Sequence, residues 1–197
     1  MIIGVTGGVG CGKSTALDIL KNDFGAKVLK ADDMGHEVMK KGTAAYEEIL
    51  AVFGDSVKGE NGELDRAALA GCIYGNDRKR EQLNAIIHPR VTEEIKNRLL
   101  LWDNEPLVVL ETALMFETGC NQLCSQVWGI DAGREERIRR LMKSRGYTRE
   151  RAEAIMEKQL SEEEYRERCD VIIDNTGTPD ALKGRLAQLL LGIKGKI

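Results

Sequence analysis

Residues 1–20, MIIGVTGGVGCGKSTALDIL, decide the fold of this chain. The short apolar run from Ile2 to Thr6 predicts a buried strand, and residues 14–22 have the apolar spacing of a helix. Between them, residues 7–14 satisfy the pattern G-x-x-x-x-G-K-[S/T] in full. The glycines let the backbone curl so that its N–H groups face a polyphosphate, and the start of the helix adds the positive end of its dipole. The stretch therefore predicts a phosphate-binding loop.

The side chains of this loop have separate expected roles. We expect Lys13 to reach the β- and γ-phosphates and the Ser14 hydroxyl to ligate Mg²⁺. Cys11 faces the phosphates through its backbone. A thiol near a helix N-terminus and a lysine is a candidate for a lowered pKa, although a small filler in the loop is the simpler interpretation.

Composition excludes several classes of protein. The chain has 197 residues with 29 basic and 32 acidic side chains, so its net charge of -3 gives no global basic field for nucleic acid. No apolar run approaches the roughly 18 residues that span a bilayer, and the N-terminus lacks the regions of a signal peptide. The five cysteines are an odd number without paired zinc-ligand spacing, which indicates reduced thiols. We expect a cytoplasmic protein with a small-molecule partner, without nucleic-acid or membrane partners. Its oligomeric state is unknown from the sequence.

Strand and helix signals alternate along the chain, which predicts an α/β fold with a five-stranded parallel sheet flanked by helices. Further strands are predicted at 26–31, 106–112, 126–131 and 169–174. The segment between the second and third strands is helical, with candidate helices at 35–41, 43–52, 65–74, 78–87 and 91–101. Pro89 is expected to separate the last two. Charged helices are predicted from 134 to 145 and after Thr148 as N-cap, and Pro179 starts the last helix.

Asp32 and Asp33 follow the second predicted strand, at the edge where ligands bind in such sheets. A carboxylate there accepts the proton of an acceptor hydroxyl or binds Mg²⁺, and helix capping is an equally weighted alternative. The chain lacks the guanine-reading Asn-Lys-x-Asp, which disfavours a GTPase switch. The charged helical segment after the fourth strand predicts a closing lid, in which we prefer Arg140 and Arg145 as functional and interpret the other arginines as surface residues.

Several stretches, in this order, resemble the dephospho-CoA kinase family over nearly the whole chain. They are GVTGGVGCGKST (4–15), VLKADDMGHEV (28–38), GELDRAAL (62–69), LNAIIHPRV (83–91), VLETALMFE (109–117), RRLMKSRGYTRERAEAIMEKQ (139–159) and CDVIIDNTGTPDAL (169–182). The resemblance implies transfer of the ATP γ-phosphoryl group to the 3′-hydroxyl of dephospho-CoA, with Mg²⁺, in the last step of coenzyme A synthesis. A P-loop kinase for another small acceptor and a slow nucleotide-dependent switch stay as alternatives.

The resemblance also implies an organisation and a set of site residues. A single P-loop kinase domain would comprise a core (1–34, 103–133, 169–197), a helical CoA-binding subdomain (35–102) and a lid (134–168). Asp32, Lys13 and Arg140 would be catalytic, and Ser14 and Asp32 would hold the metal. The expected ATP contacts are Gly8, Gly10, Cys11, Gly12, Lys13, Ser14, Thr15 and Asn175. The expected substrate contacts are His36, Arg66, His88, Glu117 and Gln159.

Three departures from the family pattern accompany these assignments. Lys30 stands where a first Asp is usual, and Ala113 replaces a usual proline. The basic residue of the lid motif is shifted by one position to Arg145, which makes Arg140 the preferred lid arginine. Asp33 does not match the family carboxylate and is expected to be a helix cap. For His88 a structural role at a helix end is an equal alternative, and Arg66 has the alternative of pairing with nearby acids.

Overall fold

The computed structural model describes residues 1–194, and in it the predicted loop lies between a strand and a helix. Strand β1 (Ile2–Thr6) is almost completely buried, and helix α1 (Lys13–Phe24) follows the loop. Gly10 and Gly12 have φ angles of 79° and 89°. Residues with a Cβ rarely adopt this left-handed region, so the curled path of the loop requires glycine at both positions.

Five strands form one sheet at the centre of the fold. The others are β2 (Lys27–Lys30), β3 (Val108–Glu111), β4 (Gln126–Asp131) and β5 (Val171–Asp174). The order is β2-β3-β1-β4-β5, and β1 pairs in parallel with β3 and β4, as β4 does with β5. The predicted fold class is confirmed. Alternate residues of β1 and β4, such as Ile3, Val5 and Trp128, are buried against apolar side chains of the first and last helices.

Eight further helices are distributed along the described chain. They are α2 (Ala31–Val38), α3 (Ala44–Phe53), α4 (Arg66–Ile73), α5 (Asp77–Leu101), α6 (Arg134–Arg145), α7 (Arg149–Met156), α8 (Glu162–Arg168) and α9 (Pro179–Lys194). Two short 3₁₀ helices lie at Asp55–Val57 and Cys120–Leu123. Thr148 caps α7 by accepting a hydrogen bond from the Arg151 N–H, as predicted. Helix α8 was not predicted, although Ser161 and Glu164 form a complete capping box at its start.

Two predicted helix boundaries are wrong. The helix expected at 35–41 begins at Ala31, because Lys30 takes the extended N-cap conformation directly after β2. The two helices expected on either side of Pro89 are one continuous helix, α5. Proline removes one N–H from the helix, but the buried side chains Leu83 and Ile95 on either side anchor both halves. Arg90 also donates to the carbonyl of Ile86 at 2.7 Å.

The chain separates into two compact units, each with its own core. The phosphate-loop unit comprises Met1–Leu29 and the chain from Glu105 on, and the helical unit comprises Lys30–Asn104. In the helical unit, Ala45, Ile49 and Val57 pack with Leu69, Leu83 and Ile86. No helix within residues 1–194 is long and apolar enough to cross a membrane.

Candidate active site

The ammonium group of Lys13 lies within the phosphate loop. Its Nζ donates to the carbonyl oxygen of Gly7 at 2.6 Å, so the side chain folds back along the loop from the first residue of α1. Ser14 follows it and is exposed, and Thr15 is half-buried. The loop therefore presents a cation and an accessible hydroxyl at the same helix N-terminus, where anions bind favourably.

The carbonyl of Cys11 forms the base of the loop and is held by two side chains distant in sequence. Asn175 donates its Nδ2 to this oxygen at 2.9 Å and is buried, and Arg140 donates its Nη1 to it at 3.3 Å. Arg140 also donates to the carbonyl of Asn175 at 2.7 Å. The structure thus brings two predicted ATP contacts, Cys11 and Asn175, together with Arg140, which was predicted to be catalytic.

Glu136 orients the Arg140 guanidinium. Its carboxylate accepts from Arg140 Nε at 2.7 Å and makes two hydrogen bonds with Arg139. The hydrogen bonds from Arg139, and then those from Arg140, lower the pKa of Glu136 to about 2. Arg145, the other preferred lid arginine, is exposed and lies over the ring of Tyr147 at 6.0 Å instead of contacting the loop.

The thiol of Cys11 is buried, and burial raises its pKa, although Lys13 and Arg137 act in the opposite direction. The hypothesis of a lowered pKa is therefore wrong. The side chain packs in the main core with β1 and α1, which confirms its interpretation as a filler. All five cysteines are free thiols, as expected.

Residues 8–10, the crest of the loop, contact the lid segment. Gln159 accepts a hydrogen bond from the Val9 N–H at 2.8 Å, and Arg137 donates its Nε to the Val9 carbonyl at 2.9 Å. Gln159 was predicted as a substrate contact, and here its amide oxygen is engaged by the loop. Arg137 was expected at the surface, and that expectation is wrong because its side chain is only 4% exposed.

A sequence signal for Arg137 existed in the helical spacing of α6. Position 137 precedes Leu141 by four residues and adjoins Ile138, so it lies at the edge of the apolar stripe that Ile138 and Leu141 form on α6. Met142, the next apolar residue, is 45% exposed and lies outside that stripe. The sequence signal for Arg137 was therefore a charged residue at a position of α6 that the helical spacing directs toward the interior.

The site fits a phosphate ligand by its shape and by an unpaired polar group. A Cβ at Gly12 would lie 2.2 Å from Asn175 Nδ2, and one at Gly8 would lie 2.0 Å from Arg137 Nη2, so polar side chains approach the loop backbone closely. The hydroxyl of Thr6, at the end of β1, is buried without a hydrogen-bond partner in the described part of the chain. An unpaired buried hydroxyl beside the loop fits a site that takes a polar ligand or ordered water.

In the helical unit, Asp32 and Asp33 are exposed and lie in the first turn of α2. Lys30 is the N-cap and no side chain caps this helix, so the expected capping role of Asp33 is wrong. Negative charge is favourable at these positions because of the helix dipole. Asp32 thus remains a carboxylate that no cap engages, directly after β2.

The predicted substrate residues have different surroundings. His36 and Arg66 are exposed, and within the described residues no ion pair forms at Arg66. His88 is half-buried inside α5, not at a helix end, and burial lowers its pKa. Glu117 is exposed in the connection after β3. Only Gln159 of this set contacts the loop.

Strand β1, the phosphate loop and helix α1 belong to a fold whose sheet is ordered β2-β3-β1-β4-β5, and arginines of the charged helix α6 contact the loop. This arrangement defines a P-loop kinase. The family model described as dephospho-CoA kinase matches residues 1–180. A dephospho-CoA kinase of Geobacter sulfurreducens is 37% identical over 190 residues, covering 95% of this chain and 96% of its own length. The chain therefore belongs to the dephospho-CoA kinase family.

Solved structures agree with this assignment. The protein TT1252 from Thermus thermophilus is 34% identical, with a TM-score of 0.83, and the match covers 98% of this chain and 97% of that one. A dephospho-CoA kinase from Campylobacter jejuni is 26% identical with a TM-score of 0.75, covering 100% and 98% of the two chains. The likeness thus extends over both units of the chain.

Proposed function

We propose that this protein transfers the γ-phosphoryl group of ATP to the 3′-hydroxyl of dephospho-CoA, forming coenzyme A. The observation that carries the proposal is the extent of the family match, which includes the phosphate loop, the entire helical unit and the lid segment. A generic phosphate-binding fold would account for the loop alone.

ATP is the donor, and residues already in contact with each other would hold it. Lys13 and the curled loop backbone bind the phosphates, and Asn175 borders the adenine side. Arg140, joined to Asn175 through the Cys11 carbonyl, is the catalytic arginine of the lid. Bringing a fixed cation to the phosphates without reorganisation stabilises charge that develops during transfer. These contacts hold the side chains of the donor site in place within the fold.

Mg²⁺ would be held by Ser14 and Asp32 together with the phosphates. No group of three or more His, Cys, Asp or Glu side chains suited to a metal occurs within residues 1–194. Mg²⁺ in phosphotransferases keeps several waters and takes only one or two protein ligands besides phosphate, and the hydroxyl and carboxylate oxygens of Ser14 and Asp32 suit it. When bound, the ion neutralises charge on the transferred phosphoryl group.

Asp32 would accept the proton of the acceptor hydroxyl. The carboxylate is exposed and follows β2, where the sheet places ligand-binding loops, and no helix cap occupies it. Lys30 precedes it instead of a second carboxylate, so a single carboxylate provides the base at this position.

The helical unit would bind the CoA end of the acceptor through His36, Arg66 and His88. Glu117 is a further proposed substrate contact. The exposed imidazole and guanidinium of His36 and Arg66 are free to donate hydrogen bonds to an anionic ligand. The segment 134–168 would act as the lid that excludes water from the transfer.

The test is an acceptor panel assayed with ATP and Mg²⁺. We expect slow ATP consumption alone and strong stimulation by dephospho-CoA, with the new phosphate located on the 3′ position of the ribose by NMR. Stimulation by shikimate or a nucleoside monophosphate instead would support another small-molecule kinase. Equal turnover with and without every acceptor would contradict a kinase function.

A further inference from the structure

We infer that Arg137 and Gln159 are positioning residues that clamp the crest of the phosphate loop and thereby set its affinity for ATP. The inference rests on the proposed ATP site but does not depend on which acceptor is used. Val9 is the middle residue of the crest and the one that both side chains contact.

Both backbone polar groups of Val9 are taken by side chains more than a hundred residues away. Its N–H donates to Gln159 Oε1 at 2.8 Å, and its carbonyl accepts from Arg137 Nε at 2.9 Å. Arg137 Nη2 also lies 3.4 Å from Gln159 Oε1, so the two side chains are joined to each other. The three residues close a hydrogen-bonded ring that fixes the orientation of the Val9 peptide groups.

The side chain of Val9 belongs to the core of the lid segment. It packs against the buried residues Ile138, Leu141, Ala152 and Met156 of α6 and α7. On the next residue, a Cβ at Gly10 would lie 2.8 Å from the carbonyl oxygen of Arg137, so the backbone of α6 abuts the loop. The crest is therefore a packed part of the lid segment, and the conformation of one depends on the other.

The guanidinium of Arg137 is buried at this contact, and within residues 1–194 no carboxylate pairs with it. Its side chain is 4% exposed, and it donates hydrogen bonds to a carbonyl oxygen and an amide oxygen. In the described part of the chain it forms no ion pair. Its guanidinium lies over Gly8, where a Cβ would meet Nη2 at 2.0 Å. Burying an uncompensated cation is costly, and an anion on the other side of the loop backbone reduces that cost. ATP phosphates are such an anion.

The clamp predicts a specific kinetic signature. Replacing Arg137 by Met, or Gln159 by Met, should raise the KM for ATP and its dissociation constant by about tenfold or more, since each variant unpairs a half-buried backbone group of Val9. The kcat at saturating ATP and the KM for dephospho-CoA should change by less than about threefold, because Lys13 and Asp32 are untouched.

Two further variants separate the clamp from general destabilisation. Gln159→Glu keeps an acceptor oxygen for the Val9 N–H, so it should lose less ATP affinity than Gln159→Met. The loss that remains should come from the new carboxylate, which compensates the charge of Arg137 in place of the phosphates. Lys143→Met removes a cation from an exposed position of the same helix and should leave ATP affinity unchanged.

The experiment measures ATP binding directly, by competition against a fluorescent ATP analogue, alongside steady-state kinetics of the full chain. In the double variant Arg137→Met/Gln159→Met, the loss should be close to that of the worse single variant, because both changes open the same ring. The inference would be overturned if the losses of ATP affinity in the two single variants multiplied in the double variant. It would also be overturned if those losses were no larger than that of Lys143→Met, or if kcat fell as much as ATP affinity. ATP binding remains measurable if dephospho-CoA proves not to be the acceptor, so the two proposals fail separately.

Discussion

The phosphate-loop unit and the helical unit carry their functional residues in different ways. In the first, Lys13, Arg140 and Asn175 already contact the loop and fix its carbonyl groups. In the second, Asp32, His36 and Arg66 lie exposed on the surfaces of short helices. The side chains of the donor site are thus held by contacts within the fold, whereas those of the helical unit are open to solvent. We therefore expect substitutions in the two units to have different kinetic consequences.

The largest effect is expected at Asp32 in the helical unit. Asp32→Asn should lower kcat by about two to four orders of magnitude, as for loss of a general base, while ATP affinity stays within about threefold of the wild type. Asp33→Asn is the matched control, since both carboxylates are exposed in the same turn of α2. Steady-state kinetics and ATP titration measure both. Equal effects of the two variants would remove the catalytic role of Asp32.

In the phosphate-loop unit, Lys13→Ala should affect binding and turnover together. Loss of the cation that lies within the loop should lower kcat/KM for ATP by about two to three orders of magnitude. Lys21→Ala, at the exposed end of the same helix, provides the control. If Lys13→Ala retained normal ATP affinity and turnover, the loop would not be the donor site.

Variants of Arg140 and Arg145 compare a lid arginine that contacts the loop with one that lies at the surface. Arg140→Met removes hydrogen bonds to the carbonyls of Cys11 and Asn175 and should raise the KM for ATP by about 10- to 100-fold. Arg145→Met should change it by less than about threefold, because this side chain only covers Tyr147. The reverse order would show that the lid rearranges when nucleotide binds.

The smallest effect concerns the pH dependence of stability. The pKa of Glu136 is about 2, below its ordinary 4.5, so its carboxylate stabilises the folded state above about pH 4.5 and this contribution is lost as the pH falls toward 2. Urea unfolding of wild type and Glu136→Gln should show a constant difference in unfolding free energy near neutral pH that shrinks in acid.

Glu37 offers the corresponding comparison in the helical unit. Its ion pair with Lys40 also lowers its pKa, but both side chains are about half exposed. The difference between wild type and Glu37→Gln should therefore be smaller and should decrease in high salt, because exposed ion pairs contribute little. A pH-independent difference for Glu136→Gln would contradict the role given to that carboxylate.

Much of the architecture could be predicted because its signals are local. The glycine pattern of residues 7–14, the apolar strands, the cap at Thr148 and the helix start at Pro179 each depend on a few neighbouring residues. The helix boundary wrongly predicted at Pro89 shows the limit of such signals. A proline ordinarily ends a helix, but the apolar side chains on either side of it pack into the interior and keep α5 continuous.

The sequence indicated which types of residue form the candidate site, but not which of them contact one another. The sequence indicated Arg140 as catalytic and Asn175 as an ATP contact, and both stay predictions, although both side chains contact the Cys11 carbonyl. It left Arg137 among the surface arginines. It also suggested a low pKa for the Cys11 thiol from the nearby lysine and helix end. Burial outweighs both, and burial is a property of the assembled core.

By itself, then, the sequence determined that a glycine loop between a strand and a helix holds phosphate, since that geometry follows from backbone freedom within eight residues. Only the tertiary structure decided which arginine is buried on the loop and what Gln159 contacts. Those hydrogen bonds join residues 128 and 150 positions apart, and no local pattern encodes such distances. They form because the lid core closes around Val9, which makes the shape of the loop a consequence of packing as well as of glycine.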